Sequence, residues 1–209
     1  MIRIVSGVIT NCLVAIYQSL GFSLLTTVLA MFFYIFITDG VEPCLGIKRA
    51  AKLWLKDFKE NCAFRRLFSL VLFTLMILFR TLLNRNMWMN PLADIMGGWS
   101  FYRYSVDTGE YVFTTECLEN AILFLPFSFF LLQFISEKNS RKNHSLAEIS
   151  LTSIRCVLCV SLTIEVLQLF LRVGTVQIAD IVYNVLGGFL GGILYWITER
   201  LINSRKVSK

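Results

Sequence analysis

Five apolar runs of bilayer length divide the chain, at residues 19–38, 67–83, 117–135, 150–171 and 178–197. A crossing of the hydrocarbon core takes about 20 mostly apolar residues, so each run predicts one transmembrane helix. Ahead of the first, apolar sequence starts at Ile4 and continues to Ile37 with little interruption. As one helix it would reach about 51 Å, well beyond the hydrocarbon thickness. We therefore expect Ile4 to Tyr17 to form a surface or re-entrant helix, or the chain to fold back near Gln18 and Gly21. Between the first two runs, Ile47, Ala50, Trp54, Phe58 and Cys62 recur at helical spacing with charges on the opposite side. That is an amphipathic interfacial helix over residues 47–64, resting on anionic lipid, and plain anchoring is its simplest role. The whole, residues 1–209, reads as one all-α polytopic membrane bundle in a single integral membrane domain.

The polar residues inside the last two runs are ordered. Ser161, Glu165, Gln168 and Arg172 fall at offsets 0, 4, 7 and 11, and Asp180, Asn184, Gly187 and Gly191 repeat those offsets. At about 100° per residue each set keeps to a stripe on one helix face. A carboxylate in a spanning helix costs from about 3 to 10 or more kcal/mol, so the stripes are expected to face one another. Only Val173 to Gln177 joins the two helices, which makes them antiparallel neighbours. This places Asp180 level with Arg172 or Gln168, and Glu165 near Asn184. Gly187, Gly188 and Gly191 would let the backbones approach closely opposite Ser161. The cluster is either structural glue or a ligand site.

Composition fixes the class. The 209 residues are 56% apolar, 14% aromatic and 16% charged, against about 25% charged in soluble domains. The net charge of +6 does not imply a nucleic-acid partner, because the basic residues sit between apolar runs. Fifteen of the 20 Lys and Arg residues belong to the first and third connections, the start of the fourth run (Arg155) and the tail. The positive-inside rule then puts those segments and the C-terminus in the cytoplasm. Gln168, Arg172, Asp180, Asn120, Arg80 and Asn90 consequently converge at the outer end.

Other residues refine this picture. The outer connection carries Trp88, Trp99, Phe101, Tyr102, Tyr104, Tyr111 and Phe113, with turns at Gly97, Gly98 and Gly109. It predicts a loop at headgroup depth, or a surface for a sugar or amphiphile. Arg80 closes the second span, Glu119 and Asn120 open the third, and Pro126 should kink it. Cys12, Cys44, Cys62, Cys117, Cys156 and Cys159 read as small buried residues rather than a disulfide framework. His144 lies in a polar connection and reads as solvated. No metal-ligand set and no cofactor are expected, and no Ser-His-Asp arrangement is present. Glu165, Asp180 and Glu119 are the plausible acid-base groups of the core.

In order and spacing these residues resemble a known family. Glu165-x-x-Gln168, a short turn, then Asp180-x-x-x-Asn184 leading into Gly187, Gly188 and Gly191 is similar to the VanZ-like membrane proteins. Arg80 followed by Asn90-Pro91-Leu92, and Glu119-Asn120 leading into LFLPF, fit as well. The resemblance covers residues 67–196. It implies a multi-helix protein of the bacterial cell envelope and cell membrane, implicated in resistance to teicoplanin-type glycopeptides by an undefined mechanism. It also marks Glu165, Gln168, Asp180, Asn184 and Arg80 as the residues to test. The chain departs from many relatives where Thr175, Gln177 and Ala179 occupy positions that carry charge in them.

Two function classes follow. One is a non-enzymatic membrane protein that changes access of an amphiphilic glycopeptide or binds an envelope lipid. The other is a membrane-embedded enzyme on a lipid-linked envelope precursor, with Glu165 or Asp180 as base and Arg80 or Arg172 holding an anionic group. The missing nucleophile and metal ligands weigh against catalysis.

Overall fold

A computed structural model of the chain describes residues 2–38, 46–87, 89–105, 109–138 and 145–207. Cys44, Trp88 and His144 lie outside the described residues. Helix α1 (Ile2–Thr38) is followed by α2 (Gly46–Glu60) and α3 (Cys62–Leu78), which ends in a π-helical turn, Phe79–Leu83. Strands β1 (Tyr102–Ser105) and β2 (Glu110–Phe113) precede α4 (Glu116–Lys138), α5 (Leu146–Leu171) and α6 (Ile178–Val207). Five of these helices are long and apolar enough to cross a membrane, over Val5–Thr38, Cys62–Leu83, Leu118–Ser136, Leu146–Leu171 and Ile178–Ser204. The protein is an all-α, multi-pass membrane bundle.

The amino-terminal expectation is corrected. Residues 4–17 form neither a separate surface helix nor a re-entrant one, because α1 runs unbroken for 37 residues. The helix continues through both Gln18 and Gly21. Ser19 and Thr27 bond back to the carbonyls of Ala15 and Ser23 at 3.1 and 2.7 Å, which hides their polarity within the helix. At about 1.5 Å per residue such a helix is longer than the core is thick. Its amino end reaches the hairpin, where a Cβ on Gly7 would lie 3.4 Å from the Phe113 ring.

Helix α2 confirms the amphipathic reading but ends early. Asn61 caps α3 by accepting from Phe64 N at 3.2 Å, so Cys62 starts the next helix and is exposed rather than part of the apolar face. Arg65 donates to the last carbonyls of α2, Phe58 and Lys59, at 3.1 and 2.7 Å. Trp54 stacks on Phe58 at 5.2 Å and meets Phe32 at 5.9 Å, which seats α2 against α1.

The bundle core joins Met76 and Ile77 of α3, Leu123, Phe124 and Phe127 of α4, and Val157 and Ile164 of α5. Helix α4 stays helical through Pro126. Ser145 and Glu148 form a reciprocal capping box at the start of α5. Helix α6 lies between α4 and α5, and its glycines divide the work. Gly187 sits against the Ala121 backbone and Gly191 against Leu125 O, both on α4. Gly188 faces Val157, and Gly192 faces Ser153, both on α5. The expected placement of Gly187 and Gly191 opposite Ser161 is thereby corrected, since i and i+1 on a helix point about 100° apart. Ser128 and Ser153 meet at 2.6 Å and lie 3.0 and 2.6 Å from Gly188 O; one hydroxyl donates to the other and the other donates to Gly188 O, which satisfies three polar groups where lipid supplies none.

The connection between α3 and α4 holds a two-stranded antiparallel hairpin that apolar patterning did not predict, with Tyr102 opposite Phe113 and Tyr104 opposite Tyr111. Gly109, at φ 67°, directly precedes β2.

Candidate functional site

Three backbone hydrogen bonds lace the segment after α3 onto the α5–α6 turn. Gly174 N donates to Asn86 O at 2.9 Å, Val176 N to Pro91 O at 2.9 Å and Ile178 N to Ile95 O at 3.0 Å. Asn90 shapes this strap by accepting from Leu92 N at 3.2 Å, a local turn typical of Asn. The strap closes one end of the bundle, and the polar residues of α3 to α6 gather beneath it.

Two ion pairs form the centre. Arg80, in the π turn, bonds Glu119 in the first turn of α4, and Thr115 donates to the other Glu119 oxygen at 2.6 Å. Arg85 stands 3.5 Å from Asp180, whose other oxygen accepts from Asn120 at 3.0 Å. Both pairs are largely dehydrated, with side-chain exposures of 17% and 8% for Arg80 and Glu119 and of 18% and 6% for Arg85 and Asp180. In such surroundings removing either partner leaves an uncompensated charge.

The amides and Glu165 complete the cluster. Gln168 donates to Thr81 O at 2.8 Å, fixing α5 to the π turn, whose wider winding leaves carbonyls without regular partners. Asn184 donates to Ser161 at 2.8 Å. Glu165 accepts from Gln177 N at 3.3 Å. Gln177 in turn donates to Asp94 at 2.9 Å and to Thr175 at 3.2 Å. Gln168 Oε1, Asn184 Oδ1 and Arg80 Nε are buried without a hydrogen-bond partner among the described residues, so the cluster retains bonding capacity.

Each expected site residue has a definite place. Glu165, Gln168, Asp180, Asn184 and Asn120 are buried together, and Arg80 is beside them. Glu165 and Asn184 share the α5–α6 interface as expected, but Asn184 bonds Ser161 rather than Glu165. Arg172 is corrected. It is exposed at the end of α5 in the left-handed conformation, φ 54°, so the helical offset that placed it on the stripe no longer holds. Asp180 pairs with Arg85 and Asn120, not with Arg172 or Gln168.

Sequence reasoning missed Arg85, Thr115 and Asp94, and took Gln177 only as a departure. Arg85 stands five residues after Arg80, just past the end of the second apolar run, which was its one signal.

Between the strap, the hairpin and the start of α6 lies a cavity of about 280 Å³. Gly97, Gly98, Trp99, Glu116, Gln177 and Asp180 are among its walls. Gly98 takes φ 83°, and a Cβ there would come 2.5 Å from Gln177 Oε1. Only glycine therefore fits this wall without strain.

Comparison with known proteins gives two matches. A family model described as VanZ/LLP1 matches residues 24–199. Protein VanZ of Enterococcus faecium is 28% identical over 120 residues, which are 56% of this chain and 68% of that protein. No solved structure matches the chain significantly.

Proposed function

The chain belongs to the VanZ/LLP1 family, and from that premise we propose that it acts in the bacterial cell envelope, lowering susceptibility to teicoplanin-type glycopeptides. It lies in the cell membrane with its C-terminus in the cytoplasm and the strapped end outside. The orientation rests on the basic residues of α2, the start of α3 and the carboxyl-terminal tail, all far along the chain from the strap. The link to glycopeptides rests on the family resemblance. The observation that carries the site is the pair of dehydrated arginine–carboxylate contacts beneath the strap, with amide oxygens left unpaired beside them. Such groups are expensive in a bilayer and mark functional positions by default. The mode of action is binding: an amphiphile or envelope lipid is held at the outer face, with no bond made or broken.

Expression in a susceptible host tests this. Wild-type protein should raise the inhibitory concentration of teicoplanin, and Asp180→Asn or Arg85→Gln should remove the effect while the protein still accumulates in the membrane. Equal susceptibility with and without the wild-type chain rejects the reading.

A second reading has its own observation. Glu165 is buried and its hydrogen bond is to a backbone N–H rather than to a cation, an arrangement suited to a base acting on a lipid-linked envelope substrate. Altered lipid-linked precursors that vanish with Glu165→Gln would favour it. An unchanged lipid profile would leave the binding reading.

A further inference from the structure

The cavity beneath the strap has a consistent chemistry that the ion pairs do not use up. Asp94, Glu116 and Asp180 bring carboxylates to it, Trp99 and Tyr102 bring aromatic rings, and Met96 adds an apolar flank. No Lys or Arg is among the described residues that line it. Asp180 is matched by Arg85, and Asp94 receives Gln177 among its contacts, whereas Glu116 is half-buried at the wall. Carboxylates set beside aromatic rings suit an organic cation as the complement to this wall. Trp99 is half-exposed and packs against Tyr183 of α6, ring centres 6.3 Å apart. Aromatic faces attract ammonium groups through the ring quadrupole, and carboxylates bind N–H donors through charge-assisted hydrogen bonds.

We propose that this cavity binds the primary ammonium group of an amphiphile, with Glu116 and Asp94 accepting its hydrogen bonds. The stem of the ligand lies along Met96 and Trp99. The volume, at the lower edge of the roughly 300–1,000 Å³ usual for small-molecule sites, admits a head group or a single amine-bearing arm. It does not enclose a large amphiphile. The inference rests on reading the strapped end as a ligand site and names the class of ligand for it. Binding is measured on purified protein, so it succeeds or fails separately from the susceptibility phenotype.

The test is calorimetric titration of the full chain in uncharged detergent. The probes are hexylamine, hexanol, dihexanoyl phosphatidylethanolamine and dihexanoyl phosphatidylglycerol. Saturable binding of hexylamine or the phosphatidylethanolamine, with neither hexanol nor phosphatidylglycerol binding, is the expected result. Whichever of the two ammonium probes binds more tightly identifies a free amine or a lipid head group as the source. Glu116→Gln should weaken that binding by about fivefold or more. Asp94→Asn, which keeps an acceptor for Gln177, serves as a second variant should Glu116→Gln fail to accumulate. Equal binding of hexanol, no saturable binding of either ammonium probe, or full affinity in both variants overturns the proposal.

Discussion

The Asn120 side chain donates to Asp180 Oδ1 at 3.0 Å, joining the first turn of α4 to the first turn of α6. Arg85 takes the other oxygen of the same carboxylate at 3.5 Å. One buried acid thus connects two spanning helices to the segment that closes the bundle. Its position is held by an amide and a guanidinium from different elements, so site geometry and helix docking depend on the same contact.

Loss of Arg85 should therefore be costly. Arg85→Ala leaves Asp180 without its cation and should destabilise the protein by about 3 kcal/mol, the lower end for broken buried pairs because Arg85 keeps some solvent. Thermal unfolding in detergent measures this. The double variant with Asp180→Ala should lose less than the sum of the single changes, and strict additivity would show that the pair does not couple.

The glycines of α6 should differ from the glycine of α1. Gly187→Ala and Gly191→Ala each push a methyl group into the α4 backbone and should cost about 1–3 kcal/mol. Nothing lies within 4 Å of a Cβ on Gly21, so Gly21→Ala should stabilise α1 by up to about 1 kcal/mol. Unfolding temperatures of the three variants in one detergent provide the comparison.

Gly98→Ala should disturb the strap without breaking the helix bundle. Its φ of 83° disfavours any side chain, and the new methyl meets Gln177 and Ala179. The cost should be about 1–2 kcal/mol. Protease cleavage between residues 89 and 105 should quicken while helical circular dichroism stays at the wild-type level; unchanged cleavage would mean that the wall yields freely.

Topology is testable at the hairpin. Tyr111 is exposed on β2, and Tyr111→Cys in a background without native cysteines should react with an impermeant maleimide added to intact cells. A cysteine at Lys59 of α2, also exposed, should react only after permeabilisation. The reverse pattern would invert the proposed orientation.

The spans were readable because bilayer crossing imposes a length and a composition that no other constraint counterfeits. The amphipathic α2 was readable from its spacing, although its end was not, since Asn61 serves the next helix. The buried set Glu165, Gln168, Asp180 and Asn184 was found by periodicity, a property of one helix at a time. Partner choice was not, because it depends on elements that periodicity cannot relate. Arg172 matched the stripe by offset, but α5 stops one residue before it, and a left-handed residue leaves the helical projection. Arg85 and Gln177 lie in connections, where no repeat marks a side chain as inward. The hairpin escaped because its aromatic residues suit a membrane interface equally well as a loop.

The π turn at Phe79–Leu83 holds one residue more than regular α winding would. Arg80 and Thr81 lie within it, and Arg85 and the strap follow. Excising a single residue there would restore ordinary coiling and swing all that comes next by about 100° relative to α4. The Arg85 guanidinium would then miss Asp180, though both side chains survived. Along this short stretch the number of residues is under tighter constraint than their kind.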